Sequence, residues 1–368
     1  MSELTLHRKI FRSIGCVFAF VLPVTLPMAA AAAGMPPAPL FAAHGILEVT
    51  IEAPMAKLMD VRPDKEYLAG HFSYTDADGS IRRLAIKLRT RGNYRRDKEH
   101  CDFAPILLNF GKTEVAGTLF DGQHKLKLVT QCITNDGEYT KILLREYLAY
   151  RLFQDLTDIS YGVRLFRIKY VDTQSGQNVT RFAFVIEDDR AVAKRNALKV
   201  VKADRLADQD LDPTRQSLVH LFEFMIGNTE YSLVNPEPDK HCCHNIDVLS
   251  ADGGPPYIAL PFDFDFAGLV NASYAEPNPR YPVSSVRTRY YKGLCSTNDL
   301  LPGTIELFER KREELLDEID ELSRACGAAR RAVGWPRRYI EAFYRIIDDP
   351  DRAQEELLDK CNNPDVPQ

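Results

Sequence analysis

The chain has 368 residues, 45% hydrophobic and 27% charged, which describes an ordinary globular protein and excludes a disordered or fibrous one. That length accommodates one large domain or two lobes. A formal net charge of −5 excludes bulk nucleic-acid binding, so any basic site must be local.

At the N-terminus, Arg8, Lys9 and Arg12 precede an apolar run from Ile14 to Leu26, and the small residues MAAAAAG follow. This is the layout of a secretory signal peptide. The apolar run is short for a membrane span, and two prolines interrupt its end. Cys16 lies too early to serve as a lipid-attachment site. The expectation is a leader over residues 1–33, cleaved around Ala31 to Ala33. What remains is a secreted or periplasmic protein with no membrane span. Seven cysteines follow the leader, and in an exported chain they are expected to form bridges. The odd number leaves at least one unpaired in the chain. Proximity alone suggests Cys101 with Cys132 and Cys326 with Cys361. The HCCH run at 241–244 is too dense for four residues to reach one tetrahedral zinc.

A Pro/Ala-rich lead (34–43) opens the mature chain. GILEVTIEAP then alternates as a strand does, and EYLAGHFSYTD and SIRRLAIKLRTRG flank a DADG turn as a hairpin. APILLNF and HKLKLVTQ read as further strands. At 138–156 the period changes to helical, with Tyr139, Ile142, Leu143, Ala149, Leu152 and Phe153 on one side. VRLFRIKYVDT and NVTRFAFVIED follow as strands. These segments make a β-rich region over 44–189 with one central helix. Residues 190–213 are charged and irregular and are read as a connection. From 214 to 361 the chain is mainly helical, with RQSLVHLFEFMIG as a buried helix and further helices after Pro302. Residues 362–368 form a tail. This order of elements suits a two-lobed α+β fold with a cleft between lobes.

Within the helical part lies YIALPFDFDFAGLVN (257–271). Read as a strand, it puts Phe262, Phe264 and Phe266 on one face and Asp263 and Asp265 on the other. Carboxylates at that spacing stand roughly 6.5–7 Å apart and can converge on a divalent cation. An edge strand with a wet outer face is the plainer reading.

Three other constellations could carry chemistry. Glu146 sits among apolar neighbours on the helix at 138–156 and needs a partner. Lys127 and Lys125, on the preceding strand, are candidates, and so are Lys141 and Arg151 at the rim. RTRGNYRR (89–96) crowds Arg89, Arg91, Arg95 and Arg96 around the tight turn at Gly92 and Asn93, an arrangement suited to phosphate or a solvated hairpin tip. No Walker-type GxxxxGK[ST] is present. Glu230, in FMIGNTEYSLVN, and Asn245 precede Asp263 and Asp265 in the order base, amide and carboxylates. These are the parts that phosphoryl transfer uses.

RGN in a basic turn, REYLAYRLF on a helix, FAFVIEDD, GNTEY followed by HN, and PFDFDF together resemble the CotH kinase family of secreted and spore-coat atypical protein kinases. The resemblance spans residues 85 to 275. It implies a two-lobed protein-kinase-like fold, with an antiparallel β N-lobe and a mainly helical C-lobe. It also implies ATP with Mg²⁺ or Mn²⁺, and phosphate transfer to Ser or Thr of an exported or envelope protein. By matching position, Glu146 resembles the helix glutamate, Asn245 the metal-binding asparagine and Asp263 the metal-binding aspartate, beside Asp265. Lys127 resembles the phosphate-contacting lysine, with Lys125 and Lys112 as alternatives, and Arg91 and Asn93 fall in the nucleotide-binding turn. One departure stands out: Glu230-Tyr231 replaces the family's Asp-Trp in the position of the catalytic base. That substitution keeps open a kinase-like module that binds without catalysis. An exported metal-dependent hydrolase using Asp263, Asp265, Asn245 and His244 is a further alternative, as is a structural envelope protein.

Overall fold

The computed structural model describes residues 35–235, 242–327 and 334–362. The predicted leader, its cleavage site and Cys16 lie outside the described residues, as do His241 and the tail from 363.

Alternation builds the first half. In β3 (Ile81–Thr90), Leu84, Ile86, Leu88 and Thr90 turn inward, while the residues between them are exposed or half-buried. The same period runs through β1 (Leu47–Ala53), β2 (Leu68–Thr75), β4 (Ile106–Phe110) and β5 (Lys125–Thr130). The second half of β6 (Val163–Asp172) alternates as well, whereas β7 (Asn178–Ile186) ends in four consecutive buried residues. Short helices α1 (Met55–Val61) and α2 (Lys112–Val115) intervene. The strands close into a barrel in the order β1-β2-β3-β4-β5-β7-β6. Its core holds the aromatic cluster of Phe72, Phe110, Phe120 and Phe166. The predicted lead also contributes, through the fully buried Leu40 and Phe41.

The closure overturns the expected fold. β1 pairs parallel with β6 over seven residues, from Leu47↔Phe166 to Ala53↔Asp172, while the other barrel pairs are antiparallel. The protein therefore has a closed, seven-stranded mixed barrel plus helices, not a two-lobed kinase-like fold with an antiparallel N-lobe sheet. Closure satisfies the backbone groups that two free edges would have left open.

α3 (Gly137–Leu156) is capped by Asp136, whose carboxylate accepts from the Glu138 N–H at 2.8 Å. It is buried along most of its length in a second core. The segment read as an irregular connection folds into α4 (Asp189–Arg195) and β8 (Lys199–Val201). α5 (Pro213–Ile226) has every feature of a well-bounded helix: an Asp212 cap, proline at its first position, and left-handed Gly227 at its end. β8, β9 (Ile246–Ser250) and β10 (Ile258–Pro261) form a small antiparallel sheet. α6 (Leu301–Arg310), α7 (Arg312–Ala325), α8 (Gly334–Ile347) and α9 (Pro350–Ala353) follow, as the C-terminal third leads one to expect. No described helix is long and apolar enough to cross a membrane.

Disulfides join Cys101 to Cys132, Cys242 to Cys243 and Cys295 to Cys361. The first is as expected. The expected Cys326–Cys361 pair is corrected, because Cys326 is free and buried. Removing the Cys295–Cys361 bridge by serine substitution at both positions opens a loop spanning 66 residues. We expect a loss of about 4 kcal/mol in urea unfolding. Peptide mapping of the unreduced protein should recover Cys326 alkylated only after unfolding, and a Cys326–Cys361 peptide would contradict this pairing.

Candidate functional site

The β9–β10 hairpin explains how residues distant in sequence converge. Ile246 pairs with Pro261, so Asn245, just before β9, and Phe262, just after β10, lie at the same end. The Phe262 N–H donates to the Asn245 carbonyl at 3.0 Å. The strand predicted through 257–271 stops at Pro261, and neither aspartate lies on it. Asp263 instead adopts φ +62° and Asn245 φ +55°, left-handed values that aspartate and asparagine tolerate better than other residues with side chains. The Asp263 N–H donates to the Tyr150 hydroxyl of α3 at 2.9 Å, and the Asn245 amide donates to the Asp263 carbonyl at 3.4 Å.

The predicted two-faced arrangement is corrected accordingly. Phe264 is fully buried, but Phe262 and Phe266 line a cavity together with both aspartates. Asp263 is exposed, whereas Asp265 is only 8% exposed.

The cavity has a volume of about 370 Å³, within the usual range for small-molecule sites. Lys127, Glu146, Arg91, Asn93, Glu230, Asn245, Asp263 and Asp265 all line it. Lys125 and Lys112, the alternatives to Lys127, are exposed and do not. Gly92, at the basic turn, takes φ +80° with open space beside its Cα, and also lines the cavity.

The expected partner of Glu146 is wrong. Arg95, not Lys127, Lys141 or Arg151, holds it. A single nitrogen, Arg95 Nη2, reaches Glu146 Oε2 at 3.1 Å, Asp265 Oδ2 at 2.7 Å and the Tyr274 hydroxyl at 3.0 Å. Tyr274 in turn donates to Asp265 Oδ2 at 3.0 Å. Burial works against the charge on Arg95, but Tyr274, Glu146, Asp265 and Asp263 together hold its pKa well above the ordinary value. For Glu146, burial outweighs the Arg95 attraction and, with Asp265 and Asp263 nearby, raises its carboxyl above the usual range. Burial lowers Arg91, with Asp263 acting the other way. Lys127 exerts its charge on Asp188 and Asp247, and Asp247 also accepts from the Tyr161 hydroxyl.

Sequence reasoning placed Arg95 in the basic turn but missed its role, and it missed Tyr274 and Tyr161 altogether. Arg95 meets Glu146 across 51 residues and Asp265 across 170, and Tyr161 meets Asp247 across 86, pairings that local pattern does not encode. His244 lines the cavity, but Cys242 and Cys243 are bonded to each other. Among the described residues, no three His, Cys, Asp or Glu are grouped to hold a metal ion. Asp265 is engaged by Arg95, and the Asp263 and Asn245 side chains line the same cavity.

No protein-family model matches the chain, and no curated protein matches it.

Arg95→Met would leave two buried carboxylates without their common cation. Its side chain and those of Glu146 and Asp265 are 13%, 3% and 11% exposed. The expected loss is about 3–5 kcal/mol by urea denaturation. Adding Glu146→Gln and Asp265→Asn should restore part of it. A loss below about 1 kcal/mol would show the cluster to be weakly coupled.

Proposed function

We propose that this cavity binds a nucleoside triphosphate and transfers its terminal phosphate to a hydroxyl of a protein partner, with a divalent ion. The carrying observation is the joint lining of one cavity by a basic turn, a strand lysine, an exposed aspartate beside an amide, and Glu230. The resemblance to CotH kinases enters this proposal through these site residues alone, since the fold it implied is not found.

Lys127 and Arg91 supply fixed positive charge for the phosphates, and the turn at Gly92 and Asn93 lets backbone approach them. Asp263 and Asn245 would share the divalent ion, which, when bound, neutralises phosphate charge. Phe262 and Phe266 give the cavity an apolar wall. Glu230 takes the proton as the acceptor oxygen forms its bond to the terminal phosphorus. The bond from that phosphorus to the nucleoside diphosphate breaks, and the diphosphate leaves with the electron pair. The predicted leader and the disulfides favour an exported or envelope partner.

A binding module without catalysis is the second reading, and the Arg95–Asp265 ion pair favours it by engaging one of the two predicted metal carboxylates.

Disulfide-intact protein incubated with Mg²⁺ or Mn²⁺ and either α- or γ-labelled ATP separates the readings. Transfer of the γ label, abolished by Asp263→Ala, is the expected result. Transfer of the α label would mean nucleotidylation. Binding without transfer would establish the second reading, and neither binding nor transfer would refute both.

A further inference from the structure

The segment carrying Glu230 is held with unusual completeness. Every carbonyl from Thr229 to Tyr231 accepts from a side chain drawn from elsewhere in the chain. Thr229 accepts from Asn278 Nδ2 at 3.2 Å and from Lys292 Nζ at 2.9 Å. Glu230 accepts from Asn245 Nδ2 at 3.2 Å, and Tyr231 accepts from Lys292 Nζ. The Glu230 N–H donates to Asn228 Oδ1 at 2.9 Å. Lys292 thus ties the carbonyls on both sides of the glutamate with one ammonium group.

That ammonium is itself fixed. It lies 4.2 Å from the ring centroid of Tyr231 and 5.0 Å from that of Tyr281. The Tyr231 hydroxyl bonds His220 Nδ1 of α5 at 2.7 Å, anchoring one wall of this box. Glu230 lines the cavity described above and also a second, smaller one of about 110 Å³, whose lining includes His244, Arg280 and Lys292. A glutamate between two chambers needs its backbone set accurately, because a misplacement of about 1 Å at a catalytic group costs on the order of a hundredfold in rate.

We propose that Lys292 is a positioning residue for Glu230, tying the carbonyls on either side of it and so setting where its carboxylate stands between the two cavities. For its part in phosphate transfer the proposal rests on Glu230 being the proton acceptor, whereas the tie itself does not.

The electrostatic surroundings make this tie sensitive to pH. Burial pushes Lys292 down to about 7, with Arg280 adding to the fall and Glu223 and Glu230 opposing it. Glu223 of α5 is pushed up to about 8 by burial, with Asn228 and Lys292 acting the other way. His220, also of α5, is pushed down to about 3 by burial and, secondarily, by Lys292, so it stays neutral. Tyr231 and Tyr281 are both held above the ordinary phenol value by burial and stay neutral as well. Lys292 and Glu223 both change charge near neutral pH, and His244 lines the same small cavity as Lys292. Above about pH 7 Lys292 loses a proton, keeps at most two donors for its two carbonyls, and gives up its attraction to Glu230 and to the rings.

Carbon-13 NMR of glutamate- and lysine-labelled full chain tests the tie without any nucleotide. The Glu230 carboxyl signal is identified as the one that Glu230→Gln removes. In the wild type it should move twice, once on its own ionisation and again as the Lys292 signal titrates near pH 7. Lys292→Arg, charged throughout this range, should abolish the second movement and keep the first. Lys292→Met should leave the signal near its high-pH wild-type position. If the methionine variant does not fold, the arginine variant still decides. A Glu230 signal indifferent to Lys292 titration, or a second movement that persists in Lys292→Arg, overturns the proposal. The rate of label transfer from ATP should fall above pH 7 in the wild type, with that limb displaced upward in Lys292→Arg. Loss of transfer alone, with the NMR coupling intact, would count against the phosphotransfer reading and not against the tie.

Discussion

One guanidinium ties the site to the scaffold. Arg95 stands on the short turn after β3, Glu146 on α3, and Asp265 and Tyr274 on the loop beyond β10. A single nitrogen therefore joins the barrel to the second core at the cavity wall. Removing such a buried pair from water is expensive, and attraction at close range offsets that cost only while every partner is present. The arrangement is thus a demanding one to maintain for stability alone. Its geometric effect is definite: the basic turn, the helix and the aspartate loop hold fixed places around one chamber.

The same chamber gathers two left-handed residues. Asn245 and Asp263 both hold left-handed conformations, and each is secured by bonds to neighbouring elements. Asp263 and Asp265 differ sharply. One is exposed at the cavity, and the other is buried against an arginine. Two carboxylates that look equivalent in PFDFDF have separate physical roles.

Local pattern made much of the architecture legible. Period-two alternation marks much of β1 through β6, and the helical period with its capping aspartates marks α3 and α5. Barrel closure was not legible, because it depends on β1 meeting β6 in parallel across more than a hundred residues, which alternation cannot encode. In PFDFDF alternation misled outright, since the strand ends at Pro261 and the pattern continues only in the letters. The residues that line the cavity were largely visible as polar groups in apolar surroundings. Their pairing was not: an unpaired-looking Glu146 demands a cation, but nothing local distinguishes Arg95 from the nearer Lys127. Lys292 gave no signal, because its importance lies in two backbone carbonyls some sixty residues away.

Lys127, Arg91 and the exposed Asp263 share a cavity with an apolar wall, where the proposal seats a triphosphate joined to a flat base. Photolabelling with an azido derivative of ATP, followed by peptide mapping, locates such a ligand directly. The account predicts label on peptides bearing residues 91–95 or 262–266, competed by unmodified ATP. Competable label confined to peptides away from this cavity, or no competable label at all, would contradict it.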